Sequence, residues 1–196
     1  VSGFTLLNNT LTVSGATSLN STLVVNDKTS IQSALTVSGF TLLNNTLTVS
    51  GTTSLNSTLV VNDKTSIQSA LTVSGFTLLN NTLTVSGAAS LNSTLVVNDK
   101  TSIQSALTVS GFTLLNNTLT VSGVALLNST LIVNDKLSVQ SALTVSGFTL
   151  LNNTLTVSGA TSLNSTLIVN DKLSVQSALT VSGFTLLNNT LTVSGA

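Results

Sequence analysis

Aliphatic residues recur at every second position along the chain, in short runs separated by turn-forming pairs. Near the start, Leu7, Leu11 and Val13 occupy odd positions, whereas the even positions hold mostly Ser, Asn, Thr and Ala. Alternation of apolar and polar positions is typical of a half-buried strand, whose successive side chains point to opposite faces. Pairs such as Asn8-Asn9 interrupt the alternation and favour turns. The pattern therefore predicts an all-β protein made of short strands.

The same pattern repeats with periods of 12 and 36 residues. The first 36 residues divide into three units, VSGFTLLNNTLT, VSGATSLNSTLV and VNDKTSIQSALT, and Phe marks the longer period. The chain holds 16 units of 12 residues followed by VSGA, so residues 1–196 form a single repeat array. Neither end carries an atypical unit that could serve as a cap, although stacked repeats need caps. We therefore expect the array to be an excerpt of a longer fibre.

Each unit divides into two hexads that begin with Val, Leu or Ile, such as VSGFTL and LNNTLT. These hexads resemble the hexapeptide repeat of left-handed β-helices, in which three hexads form an 18-residue triangular coil. The resemblance implies a β-solenoid (β-helix) rod in which two coils make one 36-residue period. A 12-residue coil ranks second, because its core would be too narrow to hold without cross-links. An intertwined trimeric β-helix, with strands from three chains in one core, is the other alternative.

Stacking residues 18 apart sorts the outward positions into three faces. The first face, with Phe4, Leu6, Thr22 and Val24, is apolar overall. The second is polar, with Thr12 and Lys28, and the third is small and flat, with mostly Ala, Ser and Thr. A long exposed apolar stripe is unusual on a monomer, so we predict that the first face contacts other chains. The predicted inter-chain stripe is Phe4, Leu6, Val24, Phe40, Leu42, Val60, Phe76, Leu78, Val96, Phe112, Leu114, Ile132, Phe148, Leu150, Ile168 and Phe184. Val124 and Leu126 are expected to extend it.

The same stacking predicts an unbroken column of Asn at the corner after the second face. Stacked Asn side chains stabilise cross-β structures through hydrogen bonds between their amides. A neighbouring column alternates Asn and Asp, beginning with Asn9 and Asp27. The predicted Asn ladder is Asn8, Asn26, Asn44, Asn62, Asn80, Asn98, Asn116, Asn134, Asn152, Asn170 and Asn188.

Composition excludes most chemistry. The charged residues are five Lys and five Asp, and the chain has no His, no Cys and no Glu. A catalytic Ser-His-Asp or Cys-His relay cannot be built from these residues, nor can a zinc or haem site. We therefore expect no enzyme activity, no catalytic, cofactor-binding or metal-binding residues, and no small-molecule substrate. Zero net charge without Arg argues against nucleic acid as a partner, and no apolar run is long enough to span a membrane.

Three weaker signals have structural interpretations. The Asp27-Lys28 pair and its copies suit a turn followed by a solvated Lys better than a cation site, because calcium loops use several carboxylates per ion. Asn8-Asn9-Thr10 and Asn20-Ser21-Thr22 match the N-glycosylation acceptor sequence, but the same residues favour tight corners. Thr10-Leu11-Thr12 resembles the Thr pairs of ice-binding solenoids, although Lys28 interrupts the column.

Stretches such as TLTVSGATSLNSTLVV resemble the repeat arrays of phage and giant-virus tail-fibre shafts and of some bacterial surface fibres. The resemblance implies a structural fibre protein that forms a stiff rod, shaft or filament by solenoid stacking and by lateral or end-to-end association. Its expected partner is itself, as a trimer or filament, and its expected location is extracellular, on a cell surface or on a virion. The alternative function is a surface-binding solenoid that recognises ice or a glycan.

Overall fold

The computed structural model describes residues 2–195, which form 32 strands of three residues each and no helix. A new strand starts every six residues, as the hexads require. The strands are β1 (Thr5–Leu7), β2 (Leu11–Val13), β3 (Thr17–Leu19), β4 (Leu23–Val25), β5 (Thr29–Ile31), β6 (Leu35–Val37), β7 (Thr41–Leu43), β8 (Leu47–Val49), β9 (Thr53–Leu55), β10 (Leu59–Val61), β11 (Thr65–Ile67), β12 (Leu71–Val73), β13 (Thr77–Leu79), β14 (Leu83–Val85), β15 (Ala89–Leu91), β16 (Leu95–Val97), β17 (Thr101–Ile103), β18 (Leu107–Val109), β19 (Thr113–Leu115), β20 (Leu119–Val121), β21 (Ala125–Leu127), β22 (Leu131–Val133), β23 (Leu137–Val139), β24 (Leu143–Val145), β25 (Thr149–Leu151), β26 (Leu155–Val157), β27 (Thr161–Leu163), β28 (Leu167–Val169), β29 (Leu173–Val175), β30 (Leu179–Val181), β31 (Thr185–Leu187) and β32 (Leu191–Val193).

Each strand from β1 to β29 pairs in parallel with the strand three places later, and this pairing makes a solenoid. The first sheet begins β1-β4-β7 and has 11 strands, the second begins β2-β5-β8 and has 11, and the third begins β3-β6-β9 and has 10. Thr5 is paired with Leu23 and Leu6 with Val24, so one coil takes 18 residues. This confirms the 18-residue coil and rules out the 12-residue one. Because these pairs join successive coils of the same chain, one chain by itself forms a complete solenoid.

Backbone hydrogen bonds join each coil to the next at the corners as well as in the strands. At one corner, the Leu11 N–H donates to the Lys28 carbonyl at 2.8 Å, and the Asn26 N–H donates to the Leu7 carbonyl at 2.9 Å. Equivalent bonds follow along the whole rod. At a strand spacing of about 4.8 Å, eleven coils make a rod of about 50 Å.

The core explains why the sequence repeats every 36 residues when the coil has 18. Along the inner columns, except in the second sheet from Leu119 onward, a large residue of one coil lies over a smaller one of the next. Leu59 lies between Thr41 and Thr77, and Leu43 lies between Val25 and Val61. Alternating large and small residues lets neighbouring layers interdigitate at the density of a protein interior. The true repeating unit is therefore a pair of complementary coils.

The core contains many buried hydroxyl groups that have no hydrogen-bond partner. Ten Thr Oγ1 atoms within residues 2–195 are buried without a hydrogen-bond partner, at Thr17, Thr29, Thr41, Thr53, Thr65, Thr77, Thr101, Thr113, Thr149 and Thr161. Each such group costs about 1–3 kcal/mol relative to a satisfied one. Two later copies avoid the cost in the second sheet, where Leu137 and Leu173 replace Thr while Val139 and Val175 replace Ile. The added and removed volumes compensate within one strand.

Transferring this pair of changes to β11 should stabilise the rod. Thr65 lies between Leu47 and Leu83, so Thr65→Leu alone removes an unpartnered hydroxyl but overfills the layer at a cost of about 1–3 kcal/mol. Adding Ile67→Val restores space, and we expect the double variant to exceed the parent by about 1 kcal/mol. A double-mutant cycle measured by urea unfolding tests this coupling. If the changes in unfolding free energy of the two single variants simply added up in the double variant, the two side chains would not be coupled through packing.

Two of the three corners contain Gly on alternate coils, with Ser on the coils between. The φ angles are not the reason, since no residue between 2 and 195 has a positive φ. A Cβ built on Gly75 would instead lie 2.6 Å from the Ser57 carbonyl carbon and 2.7 Å from the Thr58 nitrogen. The backbone of the preceding coil occupies the space of a side chain, and Gly is the residue that permits this approach.

Candidate functional site

The predicted inter-chain stripe lies on the outer side of the first sheet. Its Leu, Val and Ile members stack in one column, beginning with the pairs Leu6–Val24 and Val24–Leu42. Each Phe immediately precedes a strand of that sheet. Phe4 and Phe184, on the outermost coils, are 63% and 65% exposed, whereas Phe40 and Phe76 are 37% exposed. The stripe is therefore a partly exposed surface along the rod, with one continuous aliphatic column and a Phe beside it on alternate coils.

The stripe is corrugated. Coils that carry Phe also carry Leu, as at Phe40 and Leu42, whereas the coils between them carry Thr with Val or Ile, as at Thr58 and Val60. Ridges of large side chains thus alternate with grooves of smaller ones, with a period of two coils or about 9.6 Å. The sequence pattern places Thr22 on this face, but the alternation of ridges and grooves was not predicted, because the face was treated as uniformly apolar.

Val124 and Leu126 do not extend the stripe, contrary to expectation. Leu126 pairs with Thr108 and Thr144 in the third sheet, and Val124 precedes the same strand, 44% exposed. Ile132 and Ile168 do lie on the stripe, opposite Leu114 and Leu150 respectively. The 18-residue stacking puts Val124 and Leu126 in the columns of Ala16 and Ser18, which belong to the third face.

The Asn ladder runs without a break along one corner. Nδ2 of each Asn donates to Oδ1 of the Asn 18 residues earlier, at 2.7–2.9 Å, in ten successive bonds from Asn26–Asn8 to Asn188–Asn170. The corner lies between the first and second sheets, because Asn8 follows β1 and precedes β2. The expectation that it follows the second face was therefore wrong.

Beside the ladder, every Asp carboxylate is held from both neighbouring coils. Asp27 Oδ2 accepts from Thr10 Oγ1 at 2.7 Å, and its Oδ1 accepts from Asn45 Nδ2 at 3.4 Å. The same arrangement recurs at Asp63, Asp99, Asp135 and Asp171. The Thr partners were not predicted, although Thr and Asp share the 36-residue period. The oxygen atoms of these carboxylates are thus engaged in fixing one coil to the next.

The hydrogen bond from the Thr10 hydroxyl holds the pKa of Asp27 below its ordinary value of 3.8. The Lys28 backbone N–H lowers this pKa further, desolvation opposes the shift, and the Lys28 charge makes the smallest contribution in the lowering direction. A lowered folded-state pKa stabilises the fold above the ordinary value, and the contribution is lost as pH falls through the lowered one. We expect Thr10→Val to raise the pKa of Asp27 and to weaken the loss of stability of the first coils below about pH 4. A carboxyl ¹³C NMR titration measures the change, with Thr12→Val as the control. An unchanged Asp27 titration in Thr10→Val would contradict the assignment of cause.

The rest of the surface offers little chemistry. No group of three or more His, Cys, Asp or Glu side chains within residues 2–195 is placed to hold a metal ion. A cavity of about 330 Å³ is lined by core and corner residues of the first coil, from Thr5 to Leu19, none of them titratable. Across the same range, no helix is long and apolar enough to cross a membrane. The chain matches no protein-family model, no curated protein and no solved structure.

The second sheet carries an unbroken outward column of hydroxyl groups. Thr12 pairs with Ser30 and Ser30 with Thr48, and Thr and Ser continue to alternate along the sheet. Lys28 lies outside this column, because it precedes β5. The neighbouring column alternates Thr and Lys, so a Thr pair occurs on every second coil only.

Proposed function

We propose that this chain is a structural rod, a stiff segment of a fibre or shaft that associates with copies of itself. The observation that carries the proposal is the unbroken stacking of nearly identical coils, each hydrogen-bonded to the next in three sheets and along the Asn ladder. Such an array has no hinge, and its length is proportional to the number of repeats. The absence of His, Cys, Glu and Arg from the sequence is consistent with a mechanical role.

The resemblance to viral and bacterial fibre repeats supports an extracellular, cell-surface or virion location. A shaft has to resist collapse without cofactors, and its surface has to stay inert except where copies meet. The Lys side chains beside the second sheet suit this purpose, since exposed Lys residues oppose unwanted pairing with other chains. Lateral contact through the apolar stripe would thicken the fibre.

Measuring length against repeat number tests the proposal. Deleting residues 73–108 removes one 36-residue period and joins Thr72 to Val109, which keeps the pattern in register. The deletion should shorten the rod by two coils, about 9.6 Å, as measured by small-angle X-ray scattering and electron microscopy. A compact particle, or a maximum dimension that does not change, would argue against a rod.

A surface-binding solenoid is the second candidate, favoured by the hydroxyl column on the second sheet. Regularly spaced hydroxyl groups can match a periodic partner such as ice or a glycan chain. An ice-recrystallisation assay and a glycan-binding screen on the intact chain test this function. Thr48→Leu with Thr84→Leu should abolish any activity found, and failure to detect activity in the parent chain would remove this candidate.

A further inference from the structure

We propose that the apolar stripe is a self-complementary interface at which two copies of the rod pack face to face and antiparallel, offset by one coil. In this arrangement the Phe–Leu ridges of each copy enter the Thr–Val grooves of the other. The proposal rests on the proposed structural function and deepens it, because it names the partner, the face and the register.

The spacing of ridges and grooves makes the face complementary to itself. Ridges stand at Phe40 with Leu42 and at Phe76 with Leu78, and the groove between them holds Thr58 and Val60. Ridges are about 9.6 Å apart, which leaves room for the ridge of a partner to enter. Shifting the partner by one coil turns every ridge-to-ridge clash into a ridge-in-groove contact. Close-packed interfaces require such interdigitation.

The available area reaches what a specific pair needs. The Phe column and the Leu/Val column lie two residues apart, so the stripe is roughly 11 Å wide and about 50 Å long. This gives about 550 Å² per copy and about 1,100 Å² per pair, near the lower limit of specific interfaces. Since the stripe repeats with every two coils, longer arrays would pair more tightly.

The borders of the stripe also suit a second copy. No charged side chain lies on the stripe, because the Asp and Lys residues occupy the corner and the second face. The exposed Asn ladder runs along one edge. Antiparallel packing about a two-fold axis across the rod brings this edge against the equivalent edge of the partner, amide beside amide. An apolar centre with a polar, uncharged rim is the usual anatomy of a protein interface.

Symmetry favours the antiparallel arrangement. A parallel pair related by a two-fold axis along the rod puts identical coils at the same height, so Phe ridges meet Phe ridges. In a parallel pair shifted by one coil, the ridges do enter the grooves. The two copies are then not related by a two-fold axis, however, so the pair is not a closed dimer. The antiparallel pair is closed and also fits, because its axis can lie between a ridge coil and a groove coil.

Substitutions that fill the grooves distinguish a specific ridge-in-groove interface from unspecific hydrophobic association. Thr58→Phe with Thr94→Phe makes the stripe more apolar but removes two grooves, so we expect at least a tenfold weaker self-association by analytical ultracentrifugation. The matched control, Thr52→Phe with Ala88→Phe, places the same side chains at the equivalent positions of the third face and should leave association unchanged. Circular dichroism verifies that both variants keep their strands.

Two results would overturn the proposal. One is self-association that is equal or stronger in Thr58→Phe with Thr94→Phe, which would indicate unspecific adhesion. The other is a parent chain that stays monomeric at every concentration while the deletion experiment still gives a rod. That second result would refute the interface and leave the structural function standing.

Crosslinking between introduced cysteines determines which coils lie opposite each other. The method suits this chain because it has no Cys of its own. Single-cysteine variants are mixed in pairs and treated with a short bismaleimide. Leu150→Cys should crosslink to Val24→Cys or to Val60→Cys, since groove coils lie opposite the ridge of Leu150 in the two registers offset by one coil. Leu150→Cys crosslinking mainly to Leu42→Cys would indicate ridge against ridge. Val24→Cys crosslinking mainly to Leu42→Cys would indicate parallel rods, and either result contradicts the proposal.

Discussion

Replacing Gly75 by Ala is expected to destabilise the rod by about 1–3 kcal/mol, the usual cost of overpacking. The added methyl group would lie 2.6 Å from the Ser57 carbonyl carbon, closer than Cβ atoms approach backbone in folded proteins. Neither side can yield easily, because Ser74 N–H and Thr77 N–H, on either side of Gly75, are hydrogen-bonded to neighbouring coils. Thermal and urea unfolding followed by circular dichroism measure the effect.

Gly15→Ala is the matched control for this substitution. Gly15 also lies at a corner, but on the first coil of residues 1–196, where no preceding coil lies against it, so a Cβ there would have no atom within 4 Å. Since Ala lowers the entropy of the unfolded chain, this variant should be neutral or stabilised by up to about 1 kcal/mol. If both variants lost the same stability, close approach of the coils would not be the reason for Gly at these corners.

Leu71→Ala should have the largest effect of any single truncation considered, about 2–5 kcal/mol. Leu71 is completely buried, and its neighbours in the stack are the smaller residues Thr53 and Ala89. Neither neighbour is large enough to fill the space, so a cavity remains in the centre of the rod. The cost is expected to fall on the coils around β12, because each coil contacts only its neighbours. Amide hydrogen exchange measures this local loss of protection.

Thr72→Ala controls for the position in the strand. Thr72 is the central residue of β12 and points away from the core, between Ser54 and Ser90. Truncating it should change stability by less than about 1 kcal/mol, as for most surface substitutions. Comparable losses for Leu71→Ala and Thr72→Ala would contradict the assignment of inner and outer faces.

The fold could be predicted from the sequence because two short-range signals agree. Alternation assigns Leu7 and Val13 to the inside, and the segregation of Phe4 from Lys28 selects the 18-residue coil. The Asn ladder could be predicted for the same reason, since one amide per coil at a fixed position has to stack. Regular repetition converts a local pattern into a long-range contact, which is rarely possible in a globular protein.

The corner hydrogen bonds and the unpartnered core hydroxyls could not be predicted, because they depend on the exact geometry of the corners and on the contacts between one coil and the next. The Thr10–Asp27 bond joins residues 17 apart, so it crosses from one column to the next and is invisible to a stacking scheme that compares only positions 18 apart. The unpartnered Thr65 hydroxyl was equally hidden, because Thr is common in both exposed and buried strand positions. The positions of Val124 and Leu126 were predictable, by contrast, because the 18-residue spacing puts them in the columns of Ala16 and Ser18 on the third face.

The dependence of each coil on its immediate neighbours has a mechanical consequence. A rod pulled at its two ends would not stretch evenly but would shed coils one at a time from an end, where one side of the coil is unsupported. Each detached coil releases 18 residues, which extend to about 60 Å in place of the ~4.8 Å they spanned. Such a tether would lengthen in steps and dissipate a sudden load while the remaining coils stay folded.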